Sequence, residues 1–535
     1  MFYCFEFLVS LSSTFIRYRS IKVGSRSICG QKSTMGGLQG LLLVLFLQGL
    51  LGSSHVQAIN NRFLPDSFKI GVANAAPQIE GAWNEGGKGE TIWDRFAMTR
   101  PEMIIDRSTP EVACDSYHRW REDLAIIKGL NSQFYRLSIA WSRILPTGYY
   151  NGSQSINQEG VRYYKTLLRA LNALDIEPMV TLYHWDLPQQ LQDDFGGWLS
   201  PKVADLFAEY ARLCYELFGD EIRWWITINE PKQVCEAGYG VGVFAPGIFK
   251  PGEGNYICAK NVLLAHAKAY RIYDEEFRAT NKGKVAMVID TPWFEPGSQR
   301  PDDVAAAERA RLFMYGLYGH PIYYGDWPEI VKDRVALRSY GEGLEVSRLP
   351  EFTPEEKELI KGTHDYLTIN YYATHMANAT GEAPFDRRST YDDMNIIEWL
   401  NPAWPKGGPD WFSIWPMGLR KVLNWLKETY GDHEIVITEN GLSDNTGDIQ
   451  DPHRIQYIRD HLSACLDAIY EDNVRLVGYM AWSFMDDWEW TGGYGSRIGM
   501  YYVDYNSPNR TRTRKASALY FREVCKNRCL VANCV

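Results

Sequence analysis

The sequence predicts an α/β fold, a single (β/α)8 barrel, from the number, alternation and end residues of its β-rich runs. Eight such runs alternate with stretches of helical periodicity, which is typical of a parallel sheet. In 201–218 and 414–430 the apolar residues recur every three or four positions, as in helices packed on a sheet. A doubly wound open sheet is the alternative. The runs are 68–76, 134–141, 177–185, 223–230, 284–291, 365–373, 434–441 and 474–484.

Chemically capable side chains stand at or just beyond the ends of most of these runs. The carboxyl ends of the strands of a (β/α)8 barrel meet at one mouth, so such residues would share one site. A random distribution of polar residues would not collect there. The residues are Gln78, Arg136, His184, Trp185, Asn229, Glu230, Asn370, Tyr372, Glu439 and Trp482.

Composition excludes several classes of protein. The 535 residues are 45% hydrophobic and 23% charged, which is ordinary for a globular protein with a large core. The net charge of −10 and the scattered basic residues exclude nucleic acid as a partner. After residue 60 no repeat, linker or charge block divides the chain, so one main domain is expected.

The N-terminal region predicts a secretory signal. An apolar run at 38–51 follows Lys32 and Met35 and precedes a small-residue cleavage pattern that ends at Ala58. This run is too short to span a bilayer comfortably, although an uncleaved anchor is the alternative. We therefore expect an extension plus signal peptide over 1–58, with translation starting at Met35.

The predicted main domain spans 59–525, and a cysteine-containing tail spans 526–535. We expect secretion, with a lysosomal or other secretory compartment as alternatives, and no stable membrane span. A few disulfides and N-glycans fit this route, but cysteine pairing cannot be read from the sequence. The cysteines are Cys114, Cys214, Cys235, Cys258, Cys465, Cys525, Cys529 and Cys534, and the glycosylation sequons begin at Asn151, Asn378 and Asn509.

Two glutamates carry the chemical prediction. Glu230 lies near the end of RWWITINEP and Glu439 near the end of EIVITENG, each after a hydrophobic stretch. Either glutamate alone could be a helix-capping or surface residue. Together they match the requirement of glycosidic bond cleavage, which needs one carboxylic acid at the leaving oxygen and one carboxylate at the anomeric carbon.

Longer motifs add a family resemblance. TINEP, ITENG, YRLSIAWSRI, TLYHWDLPQ, TINYYA and WSFMDDWEW resemble those of glycoside hydrolase family 1, the β-glucosidase family, over Phe63 to Phe521. The resemblance leans towards secreted animal members, arthropod ones in particular. It implies a (β/α)8 TIM barrel, a retaining mechanism, no metal or cofactor, and small β-glucosides or short oligosaccharides as substrates. The sequence also contains no HExxH, EF-hand or Walker pattern.

The resemblance implies a role for each residue of the catalytic group. Glu230 corresponds to the acid/base and Glu439 to the nucleophile. Asn229 is expected to hydrogen-bond the sugar 2-hydroxyl, while Arg136 and Tyr372 contact the nucleophile. A cation and a phenol donor favour ionised Glu439, whose charge in turn favours protonated Glu230.

The resemblance also implies a set of sugar-binding residues. Glu489 is expected to take the 4- and 6-hydroxyls, and its carboxylate would repel a 6-phosphate. Trp482 is expected to form the platform under the sugar ring. The full set is Gln78, His184, Trp185, Asn229, Asn370, Tyr372, Trp482, Glu489 and Trp490.

Some positions depart from the family pattern. The first run reads FKIGVANAAPQIEG, and Ile498 stands where an aromatic residue is frequent. Lys232, expected on the leaving-group side, is also not the commonest residue at its position. These departures leave a thioglucosidase as an alternative to a β-glucosidase. A transglycosidase is a further alternative, because the sequence does not distinguish transfer of the sugar to an alcohol from transfer to water. A catalytically silent sugar-binding protein is less consistent with two intact carboxylates.

Overall fold

The computed structural model describes residues 59–535, and residues 60–535 form one compact unit. The predicted extension and signal peptide at 1–58 lie outside the described residues. Within the described part, no helix is both long and apolar enough to cross a bilayer. The strands are β1 Lys69–Ala73, β2 Phe134–Ser138, β3 Glu177–Tyr183, β4 Trp224–Asn229, β5 Lys284–Val288, β6 Trp293–Pro296, β7 Leu367–Asn370, β8 Thr374–Ala379, β9 Ile396–Trp399, β10 Ile435–Asn440, β11 Leu476–Trp482, β12 Tyr501–Val503 and β13 Arg512–Arg514.

Seventeen α-helices connect and cover these strands in the described part of the chain. Three π-helical segments, Gln233–Gly240, Tyr273–Phe277 and Leu312–Gly316, interrupt the helical regions. The helices are α1 Ala76–Ile79, α2 Ile92–Thr99, α3 Ser116–Gly129, α4 Trp141–Ile144, α5 Gln158–Ala173, α6 Gln189–Phe195, α7 Pro201–Phe218, α8 Gly254–Ile272, α9 Arg278–Asn281, α10 Pro301–Arg311, α11 Leu317–Tyr324, α12 Glu329–Gly341, α13 Pro354–Ile360, α14 Thr390–Met394, α15 Pro416–Tyr430, α16 Pro452–Tyr470 and α17 Ala516–Asn527.

Eight strands form the parallel barrel, in the order β5, β4, β3, β2, β1, β11, β10, β7. The two ends of this order meet through a parallel bridge between Asp290 and Asn370, where the Asn370 N–H donates to the Ile289 carbonyl at 3.1 Å. Each of the eight predicted runs contains one barrel strand. The structure therefore confirms the (β/α)8 fold, and the open doubly wound sheet is not formed.

Helix α7 shows how the sequence builds the outer layer. The Ser200 hydroxyl accepts the N–H of Lys202 at 3.3 Å, and Pro201 occupies the first helical position, where its missing donor costs nothing. On the inner face, the Tyr210 hydroxyl donates to the Leu182 carbonyl of β3 at 3.1 Å. This contact ties the helix to the end of a strand that carries site residues.

The barrel interior is filled by side chains. Phe134, Met179, Ile226, Val436 and Met480 from five strands belong to one buried cluster. A filled interior leaves the mouth at the carboxyl ends of the strands as the place for a site. Trp482 and Ile498 belong to the same buried cluster, so Ile498 is a packing residue in this chain.

Two disulfides form among the described cysteines. Cys235–Cys258 joins the π-helical segment after β4 to α8, and Cys529–Cys534 closes the chain end beyond α17. The remaining described cysteines, Cys114, Cys214, Cys465 and Cys525, are reduced and buried.

A buried arginine fixes the loops that follow β10 and β11. Arg454 on α16 is 1% exposed and donates to the carboxylates of Asp451 at 2.9 Å and Asp444. It also donates to the carbonyls of Ile498 and Arg497, both at 3.0 Å. These bonds satisfy polar groups that are cut off from water.

We predict that Arg454→Met lowers the free energy of unfolding by about 3–5 kcal/mol, because two buried carboxylates lose their cation. Denaturant unfolding followed by tryptophan fluorescence measures this loss. Arg459→Met on the same helix is the control. Its pair with Asp460 is partly exposed, so its loss should stay under about 1 kcal/mol. Equal losses in the two variants would contradict the assignment.

Candidate active site

Glu439 lies on β10, and donors from two other strands or their ends hold its carboxylate. One oxygen accepts from the Arg136 guanidinium, and the other accepts from the Tyr372 hydroxyl at 2.6 Å. Arg136 lies on β2 and is 1% exposed. Tyr372 lies two residues beyond β7. A cation and a phenol therefore stabilise the negative charge of a buried glutamate.

Glu230 follows β4 in a left-handed backbone conformation, with φ of 46°. Non-glycine residues rarely adopt this conformation, and it occurs preferentially at functional sites. The Glu230 N–H donates to the Val288 carbonyl of β5 at 2.8 Å, which fixes the turn. On the side chain, one oxygen accepts from the Asn370 amide at 2.6 Å.

The surroundings separate the proton affinities of the two glutamates. Burial raises the pKa of Glu230, and the negative charges of Asp290 and Glu439 raise it further, so it stands well above its ordinary value. Burial also raises the pKa of Glu439, but Arg136 and Tyr372 oppose that rise. Of the two carboxyls, Glu439 is therefore the one that ionises first, and Glu230 retains the proton.

Asn229 connects the groups around the two glutamates. Its side-chain oxygen accepts from Arg136 at 2.6 Å and from Asn370 at 3.1 Å, while its nitrogen faces His184 Nε2 at 3.2 Å. Burial and the Arg136 charge hold the pKa of His184 well below its ordinary value, so the imidazole is neutral. The Trp185 indole donates to the Asn229 carbonyl at 3.0 Å.

Aromatic side chains form one wall of the mouth. Trp490 packs on Trp185 with ring centroids 4.4 Å apart, and His184 stacks on Trp482 at 5.6 Å. The Arg136 guanidinium lies 6.0 Å from the Trp482 ring centre. Flat apolar faces next to polar donors suit a sugar ring, which has apolar faces and hydroxyls at its edge.

A second carboxyl pair lies in the loop after β11. The Gln78 amide donates to Glu489 at 3.0 Å and to Asp487 at 3.4 Å. Burial and the Glu489 charge raise the pKa of Asp487 well above its ordinary value. Burial also raises the pKa of Glu489 to about 7, against the opposing hydrogen bonds of Asp487 and Gln78. The pair is therefore poised to lose a proton near neutral pH.

The structure brings the predicted residues to one end of the barrel. Ten of them lie within or directly after barrel strands or their connecting turns, and Glu489 and Trp490 lie in the loop after β11. Arg136 and Trp185 both donate to Asn229, and Trp490 packs on Trp185. These contacts connect the residues around Arg136 to the loop that carries Glu489. The linked set is Gln78, Arg136, His184, Trp185, Asn229, Glu230, Asn370, Tyr372, Glu439, Trp482, Glu489 and Trp490.

Sequence reasoning missed Asp290 and Asp487. Asp290 lies beyond β5, where it pairs with Lys232 at 2.5 Å and accepts from the Gln233 amide at 2.9 Å. It lies one residue before the end of 284–291, the one predicted run to which no site residue is assigned, and that gap was an available signal. Asp487 belongs to the quoted motif WSFMDDWEW, in which the sequence predicts roles only for Trp482, Glu489 and Trp490.

Comparisons with known proteins identify the family of the chain. The model of glycosyl hydrolase family 1 matches residues 60–529. Myrosinase 1 of Brevicoryne brassicae is 44% identical over 462 residues, which cover 86% of this chain and 98% of that protein. The cytosolic beta-glucosidase of Cavia porcellus is 40% identical over 472 residues, with 86% and 98% covered. A mutant rice β-glucosidase solved in a covalent complex with Glc is 38% identical, with a TM-score of 0.81 and with 86% and 98% covered.

We predict that ionisation of Glu489 destabilises the folded protein as pH rises. The folded-state pKa of about 7 exceeds the ordinary 4.5, so the folded state binds more protons between these values and stability falls across that window. Because Glu489 is partly exposed, solvent screening limits the resulting loss of free energy of unfolding to roughly 2 kcal/mol. Denaturant unfolding at pH 5 and pH 7.5 measures the fall in the free energy of unfolding between the two pH values. This fall should be smaller in Glu489→Gln than in the parent by that amount.

Glu216→Gln is the control for this measurement, because Glu216 is an exposed residue of α7. It should follow the pH dependence of the parent. If Glu489→Gln also loses as much stability as the parent between the two pH values, the assigned titration of Glu489 is wrong.

Proposed function

The chain belongs to glycosyl hydrolase family 1, and we propose that it is a retaining β-glucosidase that removes terminal β-D-glucosyl residues from small glucosides or short oligosaccharides. That the chain is a glycoside hydrolase follows from the family. The proposal of a retaining β-glucosidase rests on one observation: two buried glutamates at the barrel mouth have opposite surroundings. Glu439 is held by a cation and a phenol, and Glu230 stands among negative charges.

In the proposed first step, the ionised Glu439 carboxylate attacks the anomeric carbon while protonated Glu230 donates to the leaving oxygen. The bond to the leaving group breaks, and a glycosyl ester of Glu439 forms. Asn229, already held by Arg136 and Asn370, supplies an amide for the sugar 2-hydroxyl. Such a hydrogen bond strengthens as charge develops on the ring.

In the second step, the ester has removed the Glu439 charge, so Glu230 loses its proton more readily. Glu230 then takes a proton from water, which attacks the anomeric carbon from the vacated side. The bond between the anomeric carbon and Glu439 breaks, and the Glu439 carboxylate is restored. Two inversions give net retention. The proposal requires the two carboxyls to lie about 5–5.5 Å apart across the bound sugar. The covalent complex of the mutant rice relative with Glc supports a covalent intermediate.

The glucose preference rests on the Glu489 side of the site. Glu489 and Gln78 present a carboxylate and an amide that together suit two neighbouring hydroxyls. A phosphoryl group at the sugar 6-position would meet the negative charge shared by Asp487 and Glu489. Trp482 and Trp490 offer the apolar faces for the ring.

A thioglucosidase is the second candidate, because Myrosinase 1 is 44% identical to this chain. A thiolate leaves without protonation, so a thioglucosidase has no need of a protonated acid at the leaving atom. The raised pKa of Glu230 instead favours an oxygen leaving group. A transglycosidase would use the same first step and replace water by an alcohol.

We predict that Glu439→Ala and Glu230→Ala fail in different ways. Loss of the nucleophile should slow every β-glucoside by roughly four orders of magnitude or more, and azide or formate should partly restore turnover. Loss of the acid should slow alkyl glucosides far more than nitrophenyl glucosides, since a nitrophenolate leaves with little protonation. In Glu230→Ala, azide should attack the ester intermediate and give a β-glucosyl azide, which NMR identifies.

Glu434→Gln is the matched control, because this glutamate immediately precedes β10, at the opposite end of the barrel. Its rates should equal those of the parent. Parental rates in both alanine variants on aryl glucosides, or a parent that binds glucosides without turnover, would refute the catalytic assignment.

We also predict a substrate order. Nitrophenyl β-glucoside should be hydrolysed fastest, β-galactoside and β-fucoside more slowly, and 6-phospho-β-glucoside not measurably. An aryl β-thioglucoside should be a poorer substrate than its oxygen analogue, and Glu230→Ala should leave its rate nearly unchanged. Steady-state rates on these substrates and on cellobiose test this order. Preference for the thioglucoside in the parent would instead support the second candidate.

A further inference from the structure

A buried ion pair lies beside Glu230, and the proposed mechanism gives it no role. Lys232 Nζ lies 2.5 Å from Asp290 Oδ2, and both side chains are 9% exposed. The Gln233 amide donates to the same carboxylate oxygen at 2.9 Å. The other oxygen of Asp290 is buried and has no hydrogen-bond partner. Burying a charged pair is costly, so a pair beside the acid/base invites a functional explanation.

The barrel backbone fixes the place of this pair. Asn229 of β4 pairs with Val288 of β5, and the Glu230 N–H donates to the Val288 carbonyl. Asp290 then forms the bridge to Asn370 that closes the barrel. Lys232 lies at the start of the segment that the Cys235–Cys258 disulfide ties to α8. The segment therefore has an anchor that does not depend on the ion pair.

Charged and polar groups surround Glu230 from several elements. Glu439 faces it from β10, Asp290 from the end of β5, and Lys232 from its own turn. Asn370 at the end of β7 donates to it, and Tyr372 lies just beyond. The negative charges of Asp290 and Glu439 both raise the pKa of Glu230, and the charge of Lys232 lowers it.

The two neighbouring carboxylates differ in how long their charge lasts. In the proposed reaction the Glu439 charge disappears when the ester forms, but the Asp290 charge remains through both steps. An uncompensated Asp290 would keep the proton on Glu230 when water must be deprotonated. A cation bound to Asp290 weakens that effect. The acid/base therefore needs both members of the pair, each for a different step.

We infer that Lys232 and Asp290 are positioning residues for the acid/base: Asp290 retains the proton on Glu230 for cleavage, and Lys232 offsets that charge so that Glu230 ionises in the ester intermediate. This inference rests on the proposed function. It assigns a role to two residues that do not themselves form or break bonds.

The first test is the pH profile of kcat/KM for a substrate with a poor leaving group, such as methyl β-glucoside. Its alkaline limb reports the loss of the Glu230 proton in the free enzyme. Asp290→Asn should move this limb to lower pH, and Lys232→Gln should move it to higher pH, each by about one unit. The double variant should have its limb close to that of the parent.

The second test separates kcat from KM. With a dinitrophenyl β-glucoside, hydrolysis of the ester limits turnover when departure of the aryl group is fast. At a pH below the pKa of Glu230 in the ester intermediate, Lys232→Gln should lower kcat and KM together, by up to about tenfold, because a smaller fraction of Glu230 is ionised, while kcat/KM stays near the parental value. Rapid-quench measurements should show more ester in the steady state. A purely structural role for Lys232 would not produce this split.

Two controls keep the inference open to refutation. Lys232→Arg retains the charge, so the alkaline limb of its kcat/KM profile should lie at the same pH as that of the parent. Lys284→Gln removes a lysine from the opposite end of β5, where it pairs with Glu434, and should also leave the limb in place. The inference is overturned if the limbs of Asp290→Asn and Lys232→Gln coincide with that of the parent, or if Lys232→Arg moves the limb as far as Lys232→Gln does. Absence of turnover in the parent would instead refute the proposed function.

Discussion

The buried contact between Arg136 and Glu439 is the interaction on which the rest of the site depends. A carboxylate that is almost completely removed from water keeps its charge only beside a cation or strong donors. Arg136 supplies the charge, and the Tyr372 hydroxyl supplies a second bond. Because Arg136 also donates to Asn229, the position of the nucleophile and that of the amide expected to meet the sugar 2-hydroxyl are set together.

The barrel makes this contact possible because its strands bring distant parts of the chain together. Arg136 on β2 and Glu439 on β10 are not neighbours in the sheet, so their side chains meet across the mouth. The cluster formed by Phe134, Met179 and Val436 fills the space beneath them. Close packing holds strand ends to within small displacements, which suits groups that must act at one carbon atom.

Carboxyl groups are numerous at this mouth, and their mutual repulsion affects which of them retain a proton. Glu230, Glu439 and Asp290 form one group, and Asp487 and Glu489 form another. They cannot all be ionised in a buried space with few cations, so some retain protons at neutral pH. In the proposed function, the negative charge that keeps Glu230 protonated on one side of the mouth has a counterpart on the other side, where the charge of Asp487 and Glu489 would repel a phosphorylated sugar.

The sequence by itself determined the eight strands, the mouth at which their ends meet, and ten residues that lie there, because alternating periodicities and strand-end motifs are local patterns. Only the family resemblance added Glu489 and Trp490, which lie in the loop after β11. It could not reveal the partner of each residue. Asp290 and Lys232 are 58 positions apart in the chain and meet only because β4 and β5 pair and the barrel closes beside them. The left-handed backbone of Glu230 and the proton affinities of the carboxyls were likewise decided by tertiary structure. The turn at Glu230 depends on its bond to Val288 of the neighbouring strand, and the proton affinities depend on burial and on charges contributed by strands far apart in the sequence.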